Sequence, residues 1–455
     1  MRHTRHGWWL EEAGRVEPTA PLAGESHADV AVVGGGYLGL WTAWHLAEAG
    51  ADVVVLEAEV CGHGPSGRNG GFVSSLWDQL PGLEQRFGRA RALEVGRASA
   101  EAVAAIGAWC EDQDVDAWYR SAPQLEVATT PAQDGAWAPV ARACAAAGLG
   151  GECRELSTAE VHEVCASQAF RGGLALRTSA TVQPARLALG LRRRLLERSV
   201  RIHERTQVLR LRERVETNDG SVSAGATVLA VNSATAGFPG LSRAHAVASS
   251  HIVLTEPVPD VLDELGWTGG EAIADARTLL HYFRTTRDGR IAFGWGGGRM
   301  GYGAHRREAL EVDADAVEHA RRSLVRFFPQ LAGRRITHAW GGPIDVSPTH
   351  LPVFGSRGRV HHGYGFTGNG VGPSYLGGRI LAALALDRRD DVSRLALVEP
   401  APARFPPEPL RYLGGSAIRR ALVTSDAAAD AGRRAGPVTS LVASLPRRLG
   451  LHLPR

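Results

Sequence analysis

Glycine-rich turns near the N-terminus contain the residues whose types and spacing could do chemistry. In the segment GGGYLG, Gly34, Gly36 and Gly39 follow the pattern G-x-G-x-x-G, and Glu57 comes directly after the next apolar run. Such glycines permit a tight turn, close approach of the backbone to a pyrophosphate, and close helix packing, while the acid accepts hydrogen bonds from a ribose diol. The pattern therefore predicts a dinucleotide-binding site. Its predicted contacts are Gly34, Gly36, Tyr37, Leu38, Gly39 and Glu57.

A second glycine-rich stretch, GHGPSGRNGG, occupies residues 62–71. A backbone that lies against a flat ring system must avoid bulky side chains, and glycine removes that obstruction. Ser66 and Asn69 offer short hydrogen-bonding groups, and Arg68 offers a charge for a phosphate or for an anionic reduced flavin. The stretch is therefore predicted to cover a pyrophosphate and the inner edge of a flavin ring. Its predicted contacts are Ser66, Gly67, Arg68, Asn69, Gly70 and Gly71.

The elements around these turns predict a strand–turn–helix–strand unit. Residues 29–33 and 53–56 are short valine-rich runs, typical of buried parallel strands, and residues 37–49 have helical spacing that ends at Gly50. Phosphates would meet the free N–H groups and the positive dipole at the start of that helix. Nicotinamide and flavin dinucleotides share this fingerprint, and the stretch at residues 62–71 favours the flavin.

The two motifs GGGYLGLWTAWHL and VVVLEAEVCGHGPSGRNGGF resemble the FAD-dependent D-amino-acid oxidase family. The resemblance is strongest to its branch of aminophosphonate oxidoreductases and γ-glutamylputrescine oxidases, and it extends from Trp8 to Arg434. It implies an α/β fold in which a Rossmann-like FAD-binding domain is interleaved with an antiparallel-sheet substrate domain, as in glycine oxidase. The predicted segments are an N-terminal extension (1–27), FAD-binding parts at 28–115, 159–240 and 338–395, substrate parts at 116–158 and 241–337, and a C-terminal extension with a basic tail (396–455).

The remaining elements are predicted from periodicity and composition. The predicted helices cover residues 87–110, 184–199 and 373–384, and the predicted strands cover 118–130, 201–211, 226–231, 252–257, 279–286 and 290–293. We expect the strands at 118–130, 252–257, 279–286 and 290–293 to form the antiparallel sheet that holds substrate.

The resemblance also implies a third set of cofactor contacts. The segment GYGFTGNGVGPSYLGGRI resembles the loop that closes the flavin site, and the helix after it would stabilise negative charge on the reduced flavin. The resemblance further places the backbone of Val208 near the adenine. These predicted contacts are Val208, Gly368, Asn369, Gly370 and Val371.

The resemblance implies a flavin that is bound without a covalent bond. Some relatives link it to a cysteine in the segment matching WGGPIDVSPTH, which contains none here. His63 lies one residue out of register with the flavin-linked histidine of some amine dehydrogenases. Non-covalent FAD is therefore expected, with a bond to His63 as the alternative.

Tyr282 and Arg284 are the candidate substrate-binding residues. In glycine oxidase-like members an arginine on the strand matching HYFRTTRDGRIAFG binds the substrate carboxylate, and its position falls on Thr286 here. Arg284 lies two residues earlier and shares a strand face with Thr286 and Tyr282, whereas His281 would face away. Arg284 is predicted either to bind a phosphonate or distal carboxylate, or to form an internal salt bridge.

Composition excludes several classes of protein and chemistry. The 51 basic residues nearly balance the 48 acidic ones, so charge implies no nucleic-acid partner, and no apolar run is long enough to span a membrane. All basic residues are arginine, which excludes lysine Schiff-base chemistry and removes the lysine that some relatives place over the flavin for reaction with oxygen. An odd number of cysteines without C-x-x-C, and no signal peptide, predict a reduced cytoplasmic chain. We expect no metal site.

The predicted function is FAD-dependent oxidation of the C–N bond of an amine or amino-acid-like substrate. A hydride passes to flavin N5, the imine is hydrolysed, and oxygen or another acceptor takes the electrons. Two alternatives stay open: a nicotinamide-dependent dehydrogenase, which would leave both glycine-rich loops unexplained, and a non-catalytic flavoprotein subunit. An amine with a distal acidic group is the predicted substrate class.

Overall fold

The structure, a computed structural model, describes residues 1–303, 308–399 and 402–448. The end of the predicted basic tail, residues 449–455, lies outside these ranges. The helices are α1 (Gly7–Ala13), α2 (Tyr37–Glu48), α3 (Leu80–Phe87), α4 (Arg89–Asp112), α5 (Ala138–Ala146), α6 (Thr158–Val164), α7 (Pro184–Glu197), α8 (Pro259–Glu264), α9 (Ala314–Phe327), α10 (Val371–Ala385), α11 (Leu410–Asp430) and α12 (Pro437–Arg448). The strands are β1 (Arg2–His3), β2 (Gly24–Val33), β3 (Val53–Leu56), β4 (Phe72–Ser74), β5 (Arg120–Ser121), β6 (Gln124–Val127), β7 (Cys153–Leu156), β8 (Gly173–Leu176), β9 (Ser179–Thr181), β10 (Arg201–His203), β11 (Val208–Leu211), β12 (Val215–Thr217), β13 (Gly220–Leu229), β14 (Ala246–Thr255), β15 (Ala272–Asp275), β16 (His281–Thr285), β17 (Ile291–Trp295), β18 (Ile336–Val346), β19 (Val353–Arg357) and β20 (Val360–Tyr364).

The first large sheet is parallel in its centre. Its order is β10-β3-β2-β13-β12-β11, and β20 adds to β13 and β19 to β20. The strands β10, β3, β2, β13 and β20 all run parallel, so their carboxyl ends meet at one edge. Open parallel sheets bind ligands at that edge. The apolar runs at residues 30–33 and 53–56 are buried on both faces, as their composition predicts.

The second large sheet is mixed. Its order is β1-β18-β14-β17-β16-β15-β6-β8-β7. The central neighbours from β18 to β15 are antiparallel, whereas β1 is parallel to β18 and β15 is parallel to β6. The antiparallel centre agrees with the predicted antiparallel sheet. The parallel pairs β1–β18 and β15–β6 were not predicted, because each joins strands from distant parts of the chain.

A small sheet connects the two large ones. It has the order β4-β9-β5, and β4 directly follows the glycine-rich stretch at residues 62–71. Helix α10 packs on helix α2, and Gly378 allows this because a Cβ there would lie 2.6 Å from the Cβ of Trp41. The apolar core of the parallel sheet therefore extends through α2, α4, α7 and α10.

Two predicted strands are wrong in their extent. The strand predicted at residues 118–130 is divided into β5 and β6, which belong to different sheets, and Pro123 between them has no N–H to continue a ladder. The strand predicted at residues 201–211 is divided into β10, parallel to β3, and β11, antiparallel to β12. The chain changes direction between them at Arg205, which has a φ of 53°.

Candidate active site

The first glycine-rich turn lies at the carboxyl end of β2 and leads into α2. Gly34 has a φ of 108°, and a Cβ there would lie 2.3 Å from the carbonyl oxygen of Ala230. A Cβ at Gly39 would lie 1.9 Å from the carbonyl oxygen of Gly34, so only glycine allows the helix to pack on the turn. Gly36 caps α2 without a side-chain hydrogen bond, and Tyr37 and Leu38 in the first turn are buried. This backbone arrangement suits an anionic ligand at the helix start.

Glu57 comes directly after β3, beside this turn. Its Oε2 accepts a hydrogen bond of 2.7 Å from the N–H of Gly35, and its Oε1 accepts one of 2.8 Å from the N–H of Glu59. The carboxylate is thus held at the carboxyl edge of the sheet, in the position predicted for a ribose contact.

The stretch at residues 62–71 contacts the first turn directly. Gly62 donates a 2.9 Å hydrogen bond to the carbonyl of Gly35, and the Ser66 hydroxyl accepts one of 2.8 Å from the N–H of Tyr37. The stretch folds back on itself at Gly67, where a Cβ would lie 2.2 Å from the carbonyl oxygen of Gly62. The structure therefore brings the two predicted glycine motifs together.

Asn69 and Arg68 make contacts within the protein. The Asn69 amide donates to the carbonyls of Pro65 and Ser66 at 3.1 and 2.9 Å and accepts from the N–H of Gly71 at 2.7 Å. Arg68 is buried and donates a 2.7 Å hydrogen bond to the carbonyl of Arg5. Asn69 therefore shapes the loop, and Arg68 ties it to the N-terminal segment; their predicted contacts with cofactor stay predictions.

The loop after β20 approaches the same region. Gly372, in the first turn of α10, lies so close to β4 that a Cβ would be 2.5 Å from the carbonyl oxygen of Ser74. Helix α10 begins at Val371 with Gly370 as its cap and no side-chain capping bond, while Gly368 is exposed and has a φ of 86°. Asn369 lies between these glycines and is half-buried. The start of α10 thus lies beside the strand that follows the 62–71 loop.

Val208 begins β11 and is half-buried. It packs against an apolar cluster that includes Val33 and Leu56, the last residues of β2 and β3. It is thus close to the edge where Glu57 lies, and its predicted adenine contact stays a prediction.

Tyr282 lies on the face of the mixed sheet that covers the 62–71 loop. A Cβ at Gly70 would lie 3.0 Å from its ring, and the ring of Phe72 meets it edge to face at 5.9 Å. Its hydroxyl is 2.7 Å from the Ser250 hydroxyl. The ring reaches Ser250 by crossing Gly294, where a Cβ would be 2.1 Å from it. Burial raises the pKa of Tyr282 to about 12, so the phenol stays protonated at neutral pH.

Arg284 faces the same loop, but its guanidinium forms hydrogen bonds with backbone carbonyls. Its Nη1 donates to the carbonyl of Val182 at 2.6 Å and to that of Gly71 at 3.2 Å, and its Nε donates to the carbonyl of Thr285 at 3.1 Å. Within the described ranges no carboxylate forms an ion pair with it, so the predicted internal salt bridge is absent there. Burial lowers the pKa of Arg284 to about 9. These contacts indicate that Arg284 holds the 62–71 loop in place, and they favour this role more than the predicted role in binding substrate.

The opposite strand face carries His281, as predicted. Its Nδ1 is 2.7 Å from Asp275, and its ring packs against Phe293 and Phe327 in the core behind the sheet. Thr286, where the family arginine falls, lies in the turn after β16 and donates a hydrogen bond of 2.5 Å to Asp288.

The N-terminal helix α1 is part of this site, which the sequence analysis missed. Trp9 is fully buried, lies 5.6 Å below the Arg284 guanidinium, and meets Trp340 edge to face. Trp340 in turn donates a 2.8 Å hydrogen bond to the carbonyl of Arg68. The doubled tryptophan in GWWLEE was the available signal, because large aromatic pairs seldom occur in an unpacked extension.

Asp345, at the end of β18, is a second residue that the sequence analysis missed. Its buried carboxyl accepts hydrogen bonds from the N–H of Gly365 and the side chain of Asn232, so it supports the loop after β20. Burial raises its pKa to about 7, although these hydrogen bonds act in the opposite direction. Nothing in its local sequence distinguishes it from a surface acid.

The residues present fit a flavin dinucleotide. Two glycine-rich loops and an acid converge at the carboxyl edge of a parallel sheet, and both helices that begin there have glycine caps without side-chain partners. The close contacts at Gly34, Gly39 and Gly372 exclude larger side chains from this cradle. In the described ranges no cluster of metal-binding side chains is found, and no helix there could cross a membrane.

Comparison with known proteins agrees with this arrangement. The model of the FAD dependent oxidoreductase (DAO) family matches residues 29–384. The chain is 29% identical to gamma-glutamylputrescine oxidoreductase of Escherichia coli strain K12 over 84% of this chain and 89% of that one. It is 27% identical to the probable oxidoreductase OrdL of Rhizobium meliloti strain 1021, over 91% and 94%. Glycine oxidase from Geobacillus kaustophilus has the same fold, with a TM-score of 0.65, 20% identity, and coverage of 80% of this chain and 96% of that one.

The family match decides between the alternatives that the sequence analysis left open. A nicotinamide-dependent dehydrogenase and a non-catalytic subunit are set aside, because the match extends over both glycine-rich loops and relatives of similar length are named as oxidoreductases. The predicted cofactor and enzyme class are confirmed. The chain belongs to the DAO family of FAD-dependent oxidoreductases.

Proposed function

We propose that the protein oxidises the C–N bond of an amine to an imine, which water then hydrolyses. The observation that carries this proposal is the position of Tyr282, whose ring lies directly over Gly70 of the loop expected to cover the flavin. FAD, when bound, supplies an acceptor at N5 for the hydride from the substrate carbon. The protein's own contribution is to position the amine and to exclude water.

The sheet face around Tyr282 forms the proposed substrate wall. Residues that lie opposite one another across the strands place Trp340, Ile252, Gly294 and Tyr282 in one row on this face. The row is apolar apart from the Trp340 N–H, which is bonded to the carbonyl of Arg68, and the phenol, whose hydroxyl is fixed by Ser250. Such a wall suits a neutral amine, because it offers no carboxylate that would hold an ammonium group. The Ser250 hydroxyl donates to the carbonyl of Trp295 at 3.0 Å, so the Tyr282 phenol donates to Ser250, and its pKa of about 12 makes it a poor base at neutral pH.

Arg284 acts in this proposal as a positioning residue. It joins the carbonyls of Gly71 and Val182, and so fixes the end of the glycine-rich loop against the start of α7. The start of α10 acts from the other side, where its positive dipole end would stabilise negative charge on a reduced cofactor. The residues assigned to this role are Gly368, Asn369, Gly370 and Val371.

The proposed substrate is an amine with an acidic group far from the reacting nitrogen, of the γ-glutamyl-amine type. Two observations support this class. Thr286 stands where glycine oxidase-like members carry the carboxylate arginine, so glycine and simple D-amino acids lose their anchor here. One relative at 29% identity is named a gamma-glutamylputrescine oxidoreductase. An aminophosphonate is the second candidate, because its acidic group has similar charge.

A substrate panel tests the proposed class. The FAD-loaded protein is mixed anaerobically with a γ-glutamyl amine, an aminoalkylphosphonate, glycine, D-alanine and a neutral alkylamine, and the loss of flavin absorbance is followed. We expect the γ-glutamyl amine to reduce the flavin at least ~10-fold faster than glycine, the ratio that ~1.4 kcal/mol of added binding free energy would give. Faster reduction by glycine or D-alanine would contradict the substrate class.

We also propose that FAD is bound without a covalent bond. No cysteine follows Cys165 in the sequence, and His63 packs against the ring of His6 at 5.1 Å. Acid precipitation should therefore release all yellow colour into the supernatant. Colour that stays in the pellet, and is lost in a His63→Ala variant, would identify a covalent bond to His63.

A further inference from the structure

We propose that Cys144 and Cys153 form a site of reversible thiol oxidation, at which a hydroperoxide converts the two thiols into a disulfide. The observation is the distance of 2.7 Å between their sulfur atoms, which is shorter than ordinary contact between two thiols and longer than the ~2.05 Å of a formed disulfide bond. All five cysteines lie within residues 1–303, and among them this is the one pair within hydrogen-bonding distance. The inference does not depend on the proposed substrate.

The position of the pair in the fold favours bond formation. Cys144 lies near the end of α5 and Cys153 begins β7, the edge strand of the mixed sheet. Both side chains are buried. The turn that joins them contains Gly148, Gly150 and Gly151, where an added Cβ would meet nothing within 4 Å. A turn whose glycines pack against nothing can adjust to the short movement that a bond requires.

The chemistry balances with a hydroperoxide as the oxidant. The hydrogen bond between the two thiols lowers the pKa of Cys144, so Cys144 is the thiol that ionises and attacks the peroxide oxygen. The O–O bond breaks, one water leaves, and Cys144 becomes a sulfenic acid. The Cys153 thiol then attacks the Cys144 sulfur and a second water leaves. Overall the two thiols lose two electrons and two protons, and hydrogen peroxide is reduced to two waters.

The other cysteines provide the contrast. Burial raises the pKa of Cys110 and of Cys165 to about 12 in each case, so neither thiol ionises near neutral pH. Burial also raises the pKa of Cys61 well above its usual range. These three thiols should therefore stay reduced under conditions that oxidise the pair.

Peptide mass spectrometry tests the inference on the intact, FAD-loaded protein. Because the chain has no lysine, trypsin cuts after Arg142 and Arg154 and releases both cysteines on one peptide, ACAAAGLGGECR. The protein is treated with hydrogen peroxide, unfolded in an alkylating agent and digested. We expect that peptide to lose both alkyl groups and to be two hydrogen atoms lighter than its reduced form, and dithiothreitol before alkylation to restore both groups. Peptides with Cys61, Cys110 and Cys165 should stay alkylated.

Variants define the chemistry. Cys153→Ser should leave Cys144 as a sulfenic acid, which dimedone traps, while the matched variant Cys110→Ser should form the disulfide as readily as the native protein. Two alkylated cysteines on the 143–154 peptide after complete peroxide treatment would overturn the proposal, as would sulfinic acid in place of the disulfide. The measurement on the native chain decides the matter even where a variant folds poorly.

Discussion

Replacement of Arg284 by methionine tests how the glycine-rich loop is held. Arg284→Met removes three hydrogen bonds, to the carbonyls of Val182, Gly71 and Thr285 at 2.6, 3.2 and 3.1 Å. Methionine keeps a long apolar stem that can still pack on Trp9. The change therefore separates the guanidinium from the volume that it fills.

Two effects of similar size oppose each other in the free energy of unfolding. Burial lowers the pKa of Arg284 to about 9, which corresponds to a cost on the order of 5 kcal/mol for keeping the charge. Three hydrogen bonds from a charged donor contribute ~4.5–9 kcal/mol. Since the cost offsets much of this gain, and apolar replacements of buried charges are often neutral, the unfolding free energy should change by no more than ~4 kcal/mol.

The effect on cofactor binding should be larger, because the loop loses its anchor. If the ordered loop contributes to FAD binding a free energy equal to that of one charged hydrogen bond, ~1.5–3 kcal/mol, its loss raises the Kd for FAD by about one to two decades. Deflavinated protein is titrated with FAD, and the quenching of FAD fluorescence gives the Kd. Arg287→Met is the matched control, since Arg287 is exposed on the same hairpin and pairs with Asp116.

The opposite pattern would refute this reasoning. An unchanged Kd for FAD, together with a KM that rises for an acidic amine but not for a neutral amine, would return Arg284 to the substrate-binding role predicted from its sequence position. A Kd that rises equally in Arg287→Met would point to the net charge of the hairpin as the cause.

Three further predictions concern the substrate wall, the second loop and the electron acceptor. A Cβ at Gly294 would lie 2.1 Å from the Tyr282 ring, so Gly294→Ala should lower kcat/KM at least ~10-fold and leave the Kd for FAD nearly unchanged. Tyr282→Phe loses only the bond to Ser250 and should lower kcat/KM by less than ~10-fold, whereas a normal kcat/KM in Gly294→Ala would contradict the proposed substrate wall. The pKa of Asp345 is raised to about 7, so between pH 4 and 7 the folded state holds a proton that the unfolded state releases. Urea unfolding should therefore show stability falling by roughly 3 kcal/mol over this range relative to Asp345→Asn, and parallel pH curves would contradict this. Because the chain has no lysine to stabilise superoxide formation, stopped-flow reoxidation should be slower with oxygen than with a dye, and faster reoxidation in air with stoichiometric peroxide would make the enzyme an efficient oxidase.

Local spacing was enough to predict the glycine turn between β2 and α2. Gly39 is fixed by its contact with the carbonyl of Gly34 within one strand–turn–helix unit, so the pattern is readable from a short segment, although Gly34 and Gly36 also meet Ala230 and Ser66 from distant parts of the chain. The alternation of β16 likewise placed Tyr282 and Arg284 on one face and His281 on the other. These features depend on neighbours in the sequence or on the period of a strand.

Contacts between distant segments could not be predicted. The sequence around Gly294 does not show that a glycine is required there, because the requirement comes from the pairing of β16 with β17, which places the Tyr282 ring on Gly294. Arg284 has acidic residues nearby in the sequence, but its partners are carbonyls at Gly71 and Val182, far away along the chain. Trp9 lies before residues 29–384, which the family model matches, and its contact with Arg284 depends on how α1 packs on the sheet.

Anaerobic titration of the FAD-loaded protein with a γ-glutamyl amine tests the central claim most directly. The account predicts that the flavin absorbance is lost with one equivalent of amine per flavin, and that the corresponding aldehyde and free ammonia or amine appear in equal amount. A protein that binds FAD but keeps its yellow absorbance with every amine and amino acid offered would contradict oxidation of a C–N bond at this site. A protein that cannot be reconstituted with FAD would contradict the cradle itself.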